Sequence, residues 1–314
     1  MRLNTRIAIV APGGVGGFFG ALLARAGEDV AVVARGAHLR AIQQNGLRLE
    51  GPHGDFSVRV RASDDAATLG LADVVIFAVK LFQVEAAVDA ARPLFGPDTV
   101  GISLLNGVDG AEMISGALPG AVILGGSAYM SAMIAAPGHI RYTSDMSKMV
   151  VGQPAAGGAA LRTITDFVAS GQRAGFAVEL SADVRAVLWG KLVGLSAGAA
   201  ITTASRRPVG DLYHDPETLE VVAALMAEAA AVGRHAGVQL PPGVEAEWLA
   251  RFKGFPPGLY ASMYYDLASG NPIEVDGFSG HIVREGKRLG VPTPHHAALY
   301  AVLKPHRNGA PELP

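Results

Sequence analysis

The stretch RIAIVAPGGVGGFFGALLARAGEDVAVVAR, from Arg6 to Arg35, decides the fold. A short β-branched run, Ile7–Val10, leads into the glycine cluster APGGVGG, an apolar run of helical period follows, and DVAVV closes the stretch. A strand, a glycine turn, a helix and a second strand within about 30 residues are typical of a dinucleotide-binding βαβ unit. Glycine clusters also arise by chance in a chain with 40 glycines, so the position between two strands carries the prediction. The chain is predicted to open as a Rossmann-type unit.

The glycine cluster departs from the fingerprint G-x-G-x-x-G at its first position, where the chain has Ala11. In that fingerprint the first glycine serves a tight turn, the second admits the pyrophosphate and the third lets the helix pack on the strand. We expect Ala11 to be accommodated as a small residue with negative φ. The first amides of the helix still face an anion there. The predicted pyrophosphate-binding residues are Gly13, Gly14, Val15 and Gly16.

The end of the second strand indicates which dinucleotide binds. An NAD site has an acidic residue about 20 residues after the glycines for the ribose hydroxyls, whereas an NADP site has a cation for the 2′-phosphate. The chain reads VVARGAHLR there, with no acid between Asp29 and Glu50. Arg35 is the candidate clamp and Arg40 a second one, the alternative being that Arg35 is a solvated strand end. We therefore predict NADPH rather than NADH.

Composition limits the class of protein. The 314 residues suffice for two domains, half of them are apolar, and the net charge is −2, so neither a nucleic-acid nor a membrane partner is indicated. The absence of cysteine excludes disulfides, thiolate metal sites and cysteine nucleophiles, and no metal site is predicted. Asn4, Thr5 and Arg6 lead into the first strand rather than into a signal peptide. We expect a cytoplasmic enzyme whose oligomeric state is open, with a homodimer among the alternatives.

The rest of the first half continues the α/β alternation and predicts a doubly wound parallel sheet. ADVVIFAVK, Ala72–Lys80, is a continuous apolar run typical of a strand buried on both faces. Lys80 ends this strand and Asn106 directly follows another, so both fall on the carboxyl edge where such sheets bind ligands. A solvated lysine and a common Asn-Gly turn are the alternatives. The other predicted elements are short strands at Gly46–Leu49 and Phe56–Val60, a helix at Ala86–Leu94, strands at Thr99–Leu105 and Ala121–Leu124, irregular strands in GGSAYMSAMIAAPGHIRYT and KMVVG that finish the sheet, a helix at Thr163–Ala174 and a strand at Phe176–Leu180.

From Ser181 onward the pattern predicts helices only, divided by breakers such as PPG, FPPG and GNP. This change predicts a Rossmann domain over residues 1–182 and a helical substrate and catalytic domain over residues 183–306. The polar segment 307–314 is expected to be a flexible tail. The predicted helices are Asp183–Ser205, Pro216–Ala236, Glu245–Phe252, Ser262–Ser269, Asp276–Leu289 and Pro294–Leu303.

The first of these helices has one charged residue near its centre. The run VLWGKLVGLSAGAAITTA, Val187–Ala204, is apolar or small except for Lys191. Burial of an unpaired ammonium costs several kcal/mol and lowers its pKa from ~10.4 toward neutrality, which suits a general acid. One alternative is a lysine that reaches the surface along its own stem. Another is a membrane span, which the central lysine and three glycines disfavour.

A carboxylate is expected as the partner of Lys191. The segment SMYYDLASGNPIEVDGFSG offers Asp266, Glu274 and Asp276. Glu274 has apolar neighbours on both sides, after a turn and before a helix, which suits a carboxylate held inward. Ser262 opens the preceding helix, either as an N-cap or as a donor to a substrate carboxylate.

Five spaced motifs resemble the ketopantoate reductase (2-dehydropantoate 2-reductase) family over nearly the whole chain. They are the glycine loop followed by VARGAHLRAIQQNGLRL, AVKLFQ with Lys80, LLNGV with Asn106, LWGKL with Lys191, and SMYYDLASGNPIEVDGFSG with Ser262 and Glu274. The resemblance implies an NADPH-binding Rossmann domain, a helical domain and an active site in the cleft between them. The implied reaction is the NADPH-dependent reduction of a 2-oxo acid to a 2-hydroxy acid, with ketopantoate, a precursor of pantothenate and coenzyme A, as the expected substrate.

The resemblance also implies a role for each matching residue. Lys191 falls on the family's catalytic lysine, which hydrogen-bonds and protonates the ketone oxygen as hydride arrives. Glu274 falls on the glutamate that orients this lysine and the ligand, and Ser262 on a donor to the substrate carboxylate. Asn106 and Lys80 match residues that line the nicotinamide and substrate region, and Arg35 matches the 2′-phosphate clamp.

The chain departs from the family pattern one and two turns after the lysine. Family members that act on ketopantoate often carry asparagines there, whereas this chain has Leu195 and Ala199. Each neutral hydrogen bond lost to a polar substrate weakens binding by roughly 0.5–1.5 kcal/mol. A more apolar 2-oxo acid is therefore an alternative substrate. A non-catalytic NADPH-binding regulator is a further alternative, which the costly charge of Lys191 disfavours.

Overall fold

The chain folds into two compact units. The structure is a computed structural model that describes residues 4–144, 146–154 and 157–310. The units are Met1–Val184 and Arg185–Pro314, and they divide close to the predicted boundary at residue 182.

The strands all belong to the first unit in the described parts of the chain. They are β1 (Arg6–Val10), β2 (Asp29–Val33), β3 (Leu47–Glu50), β4 (Phe56–Val58), β5 (Arg61–Ser63), β6 (Val74–Phe77), β7 (Val100–Ser103), β8 (Val122–Tyr129), β9 (Ala132–Ala136), β10 (His139–Tyr142), β11 (Lys148–Gly152) and β12 (Ala177–Ser181).

The α-helices are shared between the units, with five in the first and seven forming the second, counted over the described residues. They are α1 (Gly14–Arg25), α2 (Gly36–Asn45), α3 (Val84–Ala91), α4 (Gly110–Ala117), α5 (Ala159–Arg173), α6 (Val184–Ser205), α7 (Val209–Tyr213), α8 (Pro216–His235), α9 (Val244–Lys253), α10 (Ser262–Ala268), α11 (Ser279–Leu289) and α12 (Pro294–Leu303).

The main sheet has the strand order β12-β11-β8-β7-β6-β1-β2-β5. Neighbouring strands run parallel, except that β8 and β11 are antiparallel. The predicted doubly wound α/β fold is therefore confirmed, with one antiparallel pair added. Between β8 and β11 the described residues form no helix, and a parallel return would need such a crossover.

Helices cover both faces of the main sheet, which explains its uninterrupted apolar strands. Ile7 and Ile9 of β1 belong to one core with residues of α1 and α5, whereas Ala8 and Val10 belong to a second core with residues of α3 and α4. All four residues of β6 are buried. A strand buried on both faces has no polar alternation, as the sequence of β6 predicted.

A smaller sheet has the order β4-β3-β10-β9. The prediction that the segment containing β9 and β10 finishes the main sheet was therefore wrong, because β10 pairs with β3 instead. This sheet packs against α1, where Phe18 and Tyr142 have ring centroids 5.2 Å apart. The small sheet thus covers the helix that follows the glycine loop.

Helix α6 packs closely against α9 in the helical unit. A Cβ at Gly194 would lie 2.1 Å from the Trp248 ring of α9, and one at Gly198 would lie 2.7 Å from Phe252, so the small residues of α6 admit these aromatic rings. Among the described residues α6 is the one helix long and apolar enough to cross a membrane, with half of its most apolar window buried in the protein. The core helix of a globular unit has the same length and composition.

A buried histidine joins α12 to its neighbours. His296 has no exposed surface, and its Nε2 lies 3.0 Å from the Leu225 carbonyl oxygen while its Nδ1 lies 3.1 Å from the Ser279 hydroxyl. A carbonyl only accepts, so Nε2 carries the proton and Nδ1 accepts from Ser279. Burial lowers the pKa of His296 to about 4, against the opposing effect of Glu228.

The segment after His306 differs from its prediction. The Arg307 carbonyl accepts from the Ile273 amide (3.1 Å), and the Ala310 amide donates to the Gly270 carbonyl (3.0 Å). Residues 307–310 are therefore tied to the loop after α10 rather than frayed. The rest of the predicted tail, residues 311–314, lies outside the described residues.

Candidate active site

The carboxyl ends of four neighbouring strands align at one edge of the main sheet. Val33 of β2 pairs with Val10 of β1, Val10 pairs with Phe77 of β6, and Phe77 pairs with Ser103 of β7. The chain reverses direction across the sheet between β1 and β6, and this is the switch point where such sheets bind ligands. From β2 to β7 the edge spans three strand spacings of ~4.8 Å, or about 14 Å. The segments that follow these strands carry Arg35, the glycine loop, Lys80 and Asn106.

The turn at the end of β1 is made by Ala11. Its φ is +53°, so the expected negative φ was wrong. The Ala11 amide donates to the Val33 carbonyl (2.9 Å) and the Ala11 carbonyl accepts from the Gly13 amide (2.7 Å), and these two bonds fix the turn. The left-handed region costs an L-residue ~1–2 kcal/mol. The turn that the first fingerprint glycine serves is thus made here by a strained alanine.

Gly13 and Gly14 are glycines for different reasons. A Cβ at Gly14 would lie 2.2 Å from the Ala132 carbonyl oxygen of β9, so packing excludes a side chain. A Cβ at Gly13 would meet only the Ala11 carbonyl oxygen at 3.9 Å, and the φ of Gly13 is −70°, so neither packing nor backbone conformation requires glycine. Open space at this position is what a pyrophosphate close to the backbone needs. The amides of Gly14, Val15 and Gly16 lie in the first turn of α1, where N–H groups have no intrahelical acceptor.

Arg35 follows β2 as the N-cap of α2, with extended backbone and an exposed side chain. No residue in the described ranges forms a hydrogen bond or an ion pair with its guanidinium. Arg40 is also exposed, further along α2. An exposed guanidinium without an internal partner is compatible with both interpretations of Arg35, the 2′-phosphate clamp and the solvated strand end.

Sequence reasoning missed His38 on the same helix. Its ring contacts the carbonyl of Pro12 in the glycine loop and the amide of Gly138 in the turn between β9 and β10, each at 3.0 Å. In the sequence, the only indication of a role for His38 is its position three residues after Arg35, the candidate clamp. Both of its partners are backbone groups far away in sequence, and no side-chain pattern marks them.

Lys80 and Asn106 both lie beyond the ends of their strands. The strand predicted to end at Lys80 is shorter, because β6 ends at Phe77 and the Lys80 amide already donates to the Gln83 side chain (3.2 Å) in the next turn. Both side chains are half-buried. Gly107 has a φ of +91°, so the Asn-Gly turn needs a glycine at its second position.

Lys191 and Glu274 are brought together within the helical unit. Lys191 is half-buried on α6, and Glu274 is 4% exposed in the 3-10 turn Glu274–Asp276. Burial lowers the pKa of Lys191 from 10.5 to about 8, and the charge of Glu274 opposes this by favouring the ammonium. Asp276 instead accepts a hydrogen bond from the Tyr300 hydroxyl (2.6 Å). The pair therefore provides a cation that is charged at neutral pH and releases its proton more readily than an ordinary lysine.

Ser262 is the first residue of α10 rather than its N-cap, which is Ala261, so the N-cap alternative was wrong. The serine side chain is exposed, and no described residue forms a hydrogen bond with its hydroxyl. That hydroxyl is free to donate to a ligand.

Comparison with known proteins identifies the family of the chain. Residues 7–156 match the family described as ketopantoate reductase PanE/ApbA, and residues 183–307 match its C-terminal part. The 2-dehydropantoate 2-reductase of Mesorhizobium japonicum is 30% identical, with 95% of this chain and 97% of the relative covered. The chain belongs to the ketopantoate reductase family. The crystal structure of a PanE/ApbA family ketopantoate reductase from Ralstonia eutropha JMP134 is similar with a TM-score of 0.87 and 34% identity, covering 95% of this chain and 97% of that one.

Membership of the ketopantoate reductase family makes the chain an oxidoreductase, but the fold does not decide the substrate. The structure of D-mandelate dehydrogenase with NADH and anilino(oxo)acetate also has a TM-score of 0.87, at 22% identity and with 96% of this chain and 97% of that one covered. At that identity the likeness shows the fold alone. Substrate choice has to come from side chains.

Two positions on α6 were predicted from the sequence to bear on substrate choice. Leu195 and Ala199 follow Lys191 by one and two turns of α6, so they share its face of the helix. Leu195 is partly exposed, whereas Ala199 is only 1% exposed. Of the two, Leu195 alone has surface that a substrate can touch.

Proposed function

We propose that the protein reduces a 2-oxo acid to the corresponding 2-hydroxy acid with NADPH. The proposed substrate is 2-dehydropantoate, and the product, pantoate, feeds pantothenate and coenzyme A biosynthesis in the cytoplasm. The observation that carries the proposal is the half-buried Lys191, whose ammonium is made more acidic by burial and held charged by Glu274. Relatives that match almost the whole chain are named for this activity.

Three features of the first unit support an NADP-type dinucleotide. The space over Gly13 admits a pyrophosphate, and the first amides of α1 donate to it. The Arg35 guanidinium, beyond the neighbouring strand, can form charge-assisted hydrogen bonds to a 2′-phosphate. Lys80 and Asn106, on the other side of the glycine loop, are proposed to line the nicotinamide and substrate end.

The chemistry requires a hydride, which NADPH supplies when bound. Hydride addition to the carbonyl carbon breaks the C=O π bond and places negative charge on the oxygen. Lys191 donates a hydrogen bond to that oxygen and then its proton, which leaves a neutral amine that regains a proton from solvent. Glu274 orients the ammonium and favours its charged form. The Ser262 hydroxyl donates to the substrate carboxylate.

A more apolar 2-oxo acid is the second candidate substrate, because Leu195 presents an alkyl group beside Lys191. A site built to hydrogen-bond a hydroxyl rejects the analogue without it by a large factor, since its polar groups are then left unpaired. An alkyl group at this position gives no such discrimination. The two candidates therefore differ in how strongly the hydroxyl of ketopantoate is required.

The test is NADPH oxidation by the purified protein with a panel of 2-oxo acids. We expect turnover with ketopantoate and with its branched analogue lacking the hydroxyl. A preference for ketopantoate of several hundredfold in kcat/KM would exclude the apolar candidate. No oxidation with any 2-oxo acid, together with tight NADPH binding, would overturn the reductase and favour a non-catalytic NADPH-binding protein.

A further inference from the structure

His38 connects three segments at the carboxyl edge of the main sheet. It lies on α2, three residues after Arg35, and is half-buried. Its Nε2 is 3.0 Å from the Pro12 carbonyl oxygen, and its Nδ1 is 3.0 Å from the Gly138 amide nitrogen. The ring of His38 therefore links α2, the helix that begins at the candidate 2′-phosphate clamp, to the glycine loop and to the turn between β9 and β10.

The two bonds determine the protonation state of His38. A backbone amide only donates, so Nδ1 accepts from Gly138, and a carbonyl only accepts, so Nε2–H donates to Pro12. The neutral imidazole with its proton on Nε2 satisfies both partners. An imidazolium carries a proton on each nitrogen. Its Nδ1–H and the Gly138 N–H are then both donors, so the hydrogen bond between them is lost.

Both partners of His38 adjoin residues with a role in the proposed cofactor site. Pro12 precedes Gly13, above which the space for a pyrophosphate lies. Gly138 ends the turn from β9, the strand whose Ala132 carbonyl closes against Gly14, and a Cβ at Gly138 would lie 2.9 Å from the Ala41 Cβ of α2. A shift of the ring therefore moves the glycine loop relative to α2 and to β9.

We propose that His38 is a positioning residue for the dinucleotide, whose neutral ring fixes the glycine loop relative to Arg35 and whose protonation releases the loop. The ring touches backbone and does not itself bind the ligand. The identity of the ligand rests on the proposed function. The latch between Pro12, His38 and Gly138 is a property of the protein without ligand.

The surroundings of His38 favour the neutral ring at physiological pH. Burial lowers the pKa of His38 below the ordinary 6.5, and the bond to the Pro12 carbonyl partly opposes this change. The charged and titratable groups on the elements packed around it are Arg35 and Arg40 of α2, Arg48 and Glu50 of β3, Arg61 of β5, and His139, Arg141 and Tyr142 of β10. The side chains of Arg48 and His139 lie 3.2 Å and 2.8 Å from the Glu50 carboxylate. Arg61 forms an ion pair with Asp29 at 3.0 Å. Both hydrogen bonds of the latch are therefore formed at neutral pH, and the bond to Gly138 is lost as the pH falls below the lowered pKa of His38.

The test measures Kd for NADH and NADPH by fluorescence between acidic and neutral pH. NADH is the more informative ligand, because it lacks the 2′-phosphate, which itself titrates in this range. The variants are H38N, whose carbonyl oxygen keeps the acceptor for Gly138, H38Q, which keeps the donor to Pro12, and H38A, which keeps neither. H235Q is the control, since His235 is exposed on α8 and its ring bonds only the Ala231 carbonyl of its own helix.

We expect H38A to raise Kd roughly 10-fold at neutral pH, with H38N and H38Q in between at about 3-fold, since each neutral hydrogen bond accounts for a few-fold. The wild-type Kd for NADH should rise toward acidic pH, while the Kd of H38A should stay flat. kcat at saturating cofactor should change little. An unchanged Kd in H38A, or the same pH profile in wild type and H38A, would overturn the proposal.

Hydrogen exchange of the protein without ligand separates this proposal from the proposed function. Relative to intrinsic exchange, the loop Ala11–Gly17 should exchange faster in H38A than in wild type at neutral pH, and the wild-type loop should speed up on acidification. If wild type binds neither dinucleotide but shows this exchange pattern, the proposed function fails and the latch stands. If H38A does not fold, the latch is tested by comparing loop exchange in wild type and H38Q as the pH is lowered. Equal exchange in wild type and variant would refute the latch.

Discussion

The acidity of Lys191 gives a quantitative prediction. The fall of its pKa from 10.5 to about 8 corresponds to ~3 kcal/mol of lost ammonium stability relative to water. At pH 7 about nine lysines in ten are then protonated, and at pH 9 about one in ten. Because the proton donor is lost as pH rises, kcat/KM for the 2-oxo acid should fall tenfold per pH unit above about pH 8.

Three substitutions test whether deprotonation of Lys191 causes this fall of kcat/KM at alkaline pH, called here the alkaline limb. Lys191→Ala should lower kcat at least 10²-fold and leave the NADPH Kd nearly unchanged, because the charge on oxygen develops only on the way to the transition state. Lys191→Arg should be slow but lack the alkaline limb, since a guanidinium does not deprotonate in this range. Glu274→Gln should move the limb to lower pH, because the carboxylate raises the lysine pKa against burial.

The assay is NADPH oxidation at saturating cofactor over a neutral to alkaline pH series, with direct titration of NADPH binding alongside. Lys287→Ala is the control, because Lys287 is an exposed lysine in the last turn of α11. Near-full turnover of Lys191→Ala, or a wild-type rate that stays flat well above pH 9, would show that another group donates the proton. An alkaline limb that does not move in Glu274→Gln would refute the role given to Glu274.

Four further outcomes are expected. Arg35→Ala should weaken NADPH binding by ~1.5–3 kcal/mol and NADH binding far less, measured by calorimetric titration. Arg162→Ala on the exposed side of α5 is its control, and equal losses for both cofactors would exclude Arg35 as the clamp. Ala11→Gly should raise the free energy of unfolding by about 0.5–1 kcal/mol in urea, because relief of the left-handed strain exceeds the added chain entropy of glycine. Leu195→Asn should raise kcat/KM for ketopantoate roughly 3- to 10-fold relative to its analogue without the hydroxyl, and an unchanged ratio would mean that this side chain does not reach the substrate. The folded pKa of His296 lies below its unfolded value, so its contribution is present above pH 6.5 and is lost as pH falls toward about 4, by up to ~3 kcal/mol. In urea titrations across that window, His296→Gln should flatten this loss, whereas a decline as steep as in wild type would assign it to other groups.

The elements that were predictable from sequence depend on residues close together in the chain. The βαβ unit at Arg6–Arg35 shows itself through two apolar runs and a glycine cluster within one short segment. Lys191 stands out because a single charge interrupts a long apolar run. In both cases the physical conflict or pattern is local, so no knowledge of the fold is needed to notice it.

The features that escaped prediction depend on pairing between distant segments. β3 and β10 pair through three residues each, Arg48–Glu50 with His139–Arg141, and neither strand is long enough to show a clear alternation. Helix α2 was overlooked because only Leu39 and Ile42 are buried along it. The φ of Ala11 is set by a bond to Val33 on another strand, which no property of alanine indicates.

The small sheet also has a consequence for synthesis of the protein. Its two hairpins lie about 90 positions apart, and at ~5–20 residues per second the ribosome needs roughly 5–18 s to produce the second after the first. Until β10 has emerged, the face of α1 that Tyr142 and Ala132 cover remains open to solvent. A nascent chain released before residue 132 contains the whole glycine loop and α1. It lacks β9 and β10, which cover that helix. Dinucleotide binding is therefore expected to begin late in translation, well after the segment proposed to contact the ligand has been made.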